Sequence, residues 1–84
     1  MKAKSLQILI KHFSEIRDKK EMENFLAGLF TFAEIDEFVR RIEIVKMLKE
    51  GVSQHEIAEK LGVGVATVTR GSKEIQKGNF KNIN

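Results

Sequence analysis

Apolar residues recur along this chain at helical spacing in successive runs, each opened or closed by capping residues. Leu6, Leu9, Ile10, Phe13 and Ile16 follow the i, i+3, i+4 rhythm and predict an amphipathic helix over 5–17. Asp18-Lys19-Lys20-Glu21 then reads as a capping box, in which side chains satisfy the free N–H groups of a helix start. Met22, Phe25, Leu26 and Leu29 give that second helix its apolar face, with an end near residue 30. Thr31 with Glu34 opens the longest helix, 32–50, and Gly51 stops it. Ile35, Phe38, Ile42, Ile44, Val45, Met47 and Leu48 cover a wide arc of this helix, which is expected to be central to the fold.

Ser53 with Glu56 caps a fourth, short helix whose Ile57, Ala58 and Leu61 point inward, the small Ala58 allowing another helix to cross closely. Gly62-Val63-Gly64 breaks it. The next helix carries Val65 and Val68 in apolar register, with Ala66, Thr67, Thr69, Arg70 and Lys73 on other faces, and fades near Lys77. Gly78, Asn79 and Asn82 predict a frayed end.

The expected fold class is all-α, with five to six helices and a helix-turn-helix. Residues 1–84 are read as a single domain: 1–50 as dimerisation helices and 53–77 as a DNA-reading head. The absence of proline, tyrosine and tryptophan and the scarcity of alternating patterns agree with helix. A chain this short buries only about 60% of its unfolded surface if it stands alone, so association would stabilise it.

Net charge of +3 permits a nucleic-acid partner without demonstrating one. The chain has no cysteine, which excludes disulfides and thiolate metal sites. The apolar run before Lys11 is too short for a signal peptide, and no stretch approaches the ~20 apolar residues that span a bilayer, so a soluble cytoplasmic protein is expected. His12 and His55 have no nearby acid at metal-ligand spacing beyond Glu56 and Glu59, and both are read as surface residues with no metal. No nucleophile, base and acid are assembled, so an enzyme is not expected. Gly-Val-Gly-Val at 62–65 is no dinucleotide fingerprint, because no strand precedes it and the third glycine is missing.

The stretch 53–72, SQHEIAEKLGVGVATVTRGS, carries the usual helix-turn-helix landmarks in Gln54, Ala58, Gly62, Val68 and Arg70. The second helix of such a unit can enter the ~12 Å major groove, while the first helix and the loops touch phosphates. The start at Val65 offers free N–H groups to a phosphate. A two-helix corner can equally dock another protein, which leaves an adaptor as the competing class. Arg41 falls within the apolar arc of the long helix, where its guanidinium cannot be buried unpaired. It either snorkels outward or pairs with a carboxylate such as Glu37, or it forms an anion pocket.

Thr31, Arg41, the segment RIEIVKMLKEG and above all VSQHEIAEKLGVGVATVTRGSKEI resemble the tryptophan repressor family, itself an example of helix-turn-helix docking. The resemblance covers about 6–75. It implies an all-helical, intertwined homodimer in which L-tryptophan is the corepressor, bound between the central helix and the reading helix. On that resemblance Arg41 binds the ligand carboxylate and Arg70 lies against the indole, uses that suit a guanidinium's fork and flat face. Val45 and Gly71 line the ring slot. Thr31 and the carbonyls of Gly28 and Phe30, offered by the partner subunit, hold the polar end.

Glu74 stands where the family usually has a serine, and its carboxylate either binds the ligand ammonium or repels the ligand carboxylate. For DNA the resemblance points to Gln54, Gly64, Val65, Ala66, Thr67 and Thr69 at base edges or phosphates, with Ser72 and Lys73 on the backbone. His55 replaces a family arginine that reads guanine, and Ala58 replaces a basic residue. The family's final helix has almost no counterpart after Gly78. The implied function is a sequence-specific repressor activated by L-tryptophan and acting on tryptophan-biosynthesis or uptake genes. The alternative is a relative that binds DNA without tryptophan or senses another indole or amino acid.

Overall fold

The computed structural model describes residues 3–84 and contains five helices: α1 (Ala3–Glu15), α2 (Lys19–Leu29), α3 (Phe32–Lys49), α4 (Gln54–Leu61) and α5 (Val65–Gln76). The fold is all-α, and there is no strand among the described residues. The described residues up to Phe32 form one compact unit, and Ala33–Asn84 form a second.

In the first unit α1 ends at Glu15, two residues short of the predicted end, with Ile16 N–H donating to the Phe13 carbonyl. Asp18 caps α2 as its sequence position predicts: its carboxylate accepts from the Glu21 N–H at 2.9 Å. The Phe13 and Phe25 rings meet edge-to-face, with centroids 5.3 Å apart, and tie α1 to α2. None of the described side chains of this unit is buried. Leu6, Leu9 and Ile10 on the α1 stripe are all exposed, Ile10 to 52%.

The second unit has a closed core. Ile44 from α3, Ile57 and Ala58 from α4 and Val68 from α5 are buried together, and Met47, Leu48, Val52, Leu61 and Val63 pack around them. Fully burying one such branched side chain contributes about 1.5–3 kcal/mol, so this small cluster carries the unit. The Ser53 hydroxyl accepts from the Glu56 N–H at 3.2 Å and starts α4. Gly62 ends it at φ +66°, a left-handed conformation that a residue with Cβ adopts only under strain. The chain can therefore turn sharply into α5.

Two expectations are corrected. The arc on α3 is not uniformly central: Ile44 and Val45 are buried, but Phe38 and Ile42 are exposed, because α4 and α5 cover only the C-terminal half of the helix. The segment after α5 is also not frayed. Gly78 and Asn79 N–H groups donate back to the carbonyls of Ile75 and Glu74, and Lys49 Nζ donates to the carbonyls of Phe80 and Ile83.

Candidate nucleic-acid interface and ligand pocket

Helix α5 is twelve residues long, enough for three faces with different neighbours. Val68 faces the core. Gly71 lies beside it where α5 crosses α3, and a Cβ there would stand 3.2 Å from Ile44 Cγ2. Glycine at 71 thus sets how near the two helices come.

The second face of α5 forms one wall of a pocket of about 400 Å³, within the size range of small-molecule sites. Ala66, Thr67, Arg70, Gly71 and Glu74 contribute from α5, and Glu37, Arg41, Ile44 and Val45 from α3, with Phe80 from the segment beyond. Arg41, Val45, Arg70, Gly71 and Glu74, all singled out in the sequence, are brought to this one site. Gly28, Phe30 and Thr31 belong to the other unit.

Arg41 is not buried. Its side chain is half exposed, and its Nε lies 3.8 Å from Glu37 Oε1, while Arg40 Nη1 lies 3.6 Å from Glu37 Oε2. The charge remains near water and near a carboxylate, which resolves the desolvation problem its sequence position posed. Glu74 is more sheltered. Asn79 Nδ2 donates to its Oε1 at 2.7 Å, and Lys77 Nζ donates to its Oε2 at 3.2 Å. The Asn79 hydrogen bond first, then the Lys77 hydrogen bond, hold the carboxyl below the usual carboxylate range, with the charges of Lys77 and Arg70 adding to them. Glu74 therefore presents an anion to the pocket at neutral pH. Two guanidinium groups, two carboxylates and an apolar floor suit a zwitterion with an apolar side chain.

The third face of α5 lines a shallower basic groove formed by Val65, Ala66, Thr69, Arg70, Lys73, Glu74 and Lys77. Lys77, one turn beyond Lys73, was not among the residues read from the sequence for DNA, although the spacing Arg70, Lys73, Lys77 is visible there. Thr69 Oγ1 lies 2.7 Å from Gln54 Oε1 and 3.0 Å from the Val65 carbonyl, so one hydroxyl ties the start of α4 to α5. Because the Gln54 oxygen accepts from Thr69, its amide nitrogen carries the donors that remain. His55 is exposed in the first turn of α4, and Gly64 is the N-cap of α5 with no side-chain cap. Thr67 lines the pocket and Ser72 is half-buried. Phe80 and Asn79 were missed, because they follow Gly78 outside any periodic pattern.

No group of three or more His, Asp or Glu side chains that could hold a metal ion occurs among the described residues. No helix there is long and apolar enough to cross a membrane.

A family model for the Trp repressor protein matches residues 4–82. A Trp operon repressor homolog from Vibrio vulnificus (strain YJ016) is 42% identical over 69 residues, covering 81% of this chain and 65% of its own length. The chain thus spans just under two thirds of that relative. A Trp operon repressor homolog from Chlamydia trachomatis serovar D is 39% identical over 76% of this chain and 73% of its own. The uncharacterised protein YerC of Bacillus subtilis (strain 168) is 30% identical over 94% of this chain and 76% of its own. No solved structure matches. Since the family model runs through all five helices, including both faces of α5, the chain belongs to the Trp repressor protein family.

Proposed function

We propose that this chain is a sequence-specific DNA-binding transcriptional repressor that acts as a homodimer and is activated by L-tryptophan, on genes of tryptophan biosynthesis or uptake. The observation that carries the reading is the double use of α5. Ala66, Arg70 and Glu74 border both the basic groove and the pocket, so whatever fills the pocket bears on the helix that meets DNA. Lys73 and Lys77 attract phosphates, and the exposed Val65 offers an apolar surface to a base methyl group. In the pocket, Arg41 takes the ligand carboxylate, Arg70 and Val45 flank the indole, and Glu74 takes the ammonium group. Thr31 and the Gly28 and Phe30 carbonyls of a second copy complete the polar end. The exposed apolar stripe on α1 supports the second copy, since about 0.8 kcal/mol per buried methylene is gained by covering it.

The ligand acts through differential affinity: tryptophan favours the geometry in which two reading heads stand one DNA turn, ~34 Å, apart. A cytoplasmic location follows from such a role. The test is a duplex-binding titration with and without L-tryptophan, using the chain's own upstream region as DNA. Tryptophan should tighten binding, and binding should weaken steeply between about 50 and 200 mM salt. No tryptophan binding at millimolar concentration by calorimetry would sink the corepressor role. A salt-insensitive or absent DNA response would leave the adaptor reading. Glu74, replacing the family's serine, favours a second reading in which another amino acid or indole is sensed. Competition among amino acids in the same calorimetry separates the two.

A further inference from the structure

We infer that residues 77–84 form a strap closing the pocket, in which Phe80 is a specificity-determining wall and Lys49 the tether that holds it. The inference deepens the amino-acid-sensing reading above and rests on it for the ligand.

Gly78, at φ +85°, reverses the chain at the end of α5, with the N–H groups of Gly78 and Asn79 returning to the carbonyls of Ile75 and Glu74. A glycine is required there by the backbone conformation. The strap is then held at two points. Asn79 Nδ2 is bound to Glu74 on α5, and Lys49, the last residue of α3, donates through Nζ to the carbonyls of both Phe80 and Ile83. The strap therefore bridges the two helices that form the pocket walls. It brings Phe80 into the lining, where it is the one aromatic residue among the described residues.

This placement has a chemical consequence. Arg41, Glu37 and Glu74 read the charged end of any α-amino acid and do not distinguish one side chain from another, while Arg70 and Phe80 stand where the side chain lies. Phe80 distinguishes them, because an aromatic ligand gains face or edge contact that an aliphatic one lacks, a difference of up to ~tenfold in affinity. The Lys49 tether decides whether that contact is in place when the ligand arrives.

The experiment uses the full chain and two readouts. Calorimetry with L-tryptophan, L-phenylalanine and L-leucine compares the wild type with Phe80→Ala, Lys49→Met and Lys49→Arg. Phe80→Ala should weaken tryptophan about tenfold and narrow its margin over leucine; Lys49→Met should act in the same direction, and Lys49→Arg should retain the wild-type order. Equal weakening for all three amino acids, or an unchanged margin of tryptophan over leucine in Phe80→Ala, overturns the specificity role. The second readout needs no ligand. The chain contains no tryptophan, so Phe80→Trp introduces a single indole, whose emission should be blue-shifted and should move to the red on adding Lys49→Met. Solvent-like emission in Phe80→Trp alone overturns the strap. If the wild type binds none of the three amino acids, the tryptophan reading falls and the emission result decides the strap by itself.

Discussion

The two units of this chain use apolar residues at the same helical spacing to different ends. In the second unit, residues from three helices meet and Ile44, Ile57 and Val68 lose almost all contact with water. In the first, α1 and α2 share the Phe13–Phe25 ring contact, yet no described side chain is buried and the stripe from Leu6 to Ile10 stays exposed. Two helices give each apolar stripe only one neighbour, whereas a third helix crossing the pair closes a core. The contrast shows why periodicity predicts a helix more securely than it predicts burial. One unit has its core within the chain, and the other leaves its apolar stripe exposed.

The largest test of this contrast is Ile57→Ala. Removing the most buried side chain of α4 should cost about 2–5 kcal/mol, a large part of the stability of so small a domain, read as a lower urea midpoint. A loss under ~1 kcal/mol would mean that the second unit does not depend on this core.

Next comes Leu9→Asp in the exposed α1 stripe, compared with Ile8→Asp, which is also exposed but off the stripe. If α1 packs on a second copy, Leu9→Asp should weaken self-association at least ~tenfold in sedimentation, because burial of a leucine is replaced by burial of a charge. Ile8→Asp should weaken it far less. Equal effects would remove the distinction between stripe and surface.

The smallest effect concerns pH. The Glu74 carboxyl is depressed in the folded chain, first by the Asn79 hydrogen bond, so its contribution is fully present above the ordinary carboxylate range. It is lost as pH falls through the depressed value, when the protonated group no longer holds Asn79 and Lys77 as an anion does. Protection of the amides across 77–84, taken relative to intrinsic exchange at each pH, should therefore fall only at acidic pH, and Glu74→Gln should show the lower protection already at neutral pH.

Much of the architecture was legible before the structure. The Asp18 and Ser53 caps, the Gly62 turn and the bounds of α3 and α5 depend on neighbours within a few residues, and those neighbours are written next to one another. Arg41, Val45, Arg70, Gly71 and Glu74 were singled out partly through the family resemblance, and α3 and α5 bring them to one pocket. Lys77 was within reach through its spacing from Lys73. Phe80 was not, because its position depends on Lys49, which lies 31 residues earlier on another helix.

The sequence by itself determined an all-helical chain of five to six helices with a helix-turn-helix, since capping, turn chemistry and periodicity act over a few residues. Only the tertiary structure decided which half of α3 is covered, and that Arg41 rests half exposed against Glu37. It also decided that the residues after α5 fold back over the pocket. Those outcomes depend on which surfaces meet, and a pattern read along one strand of sequence holds no information on what stands across from it.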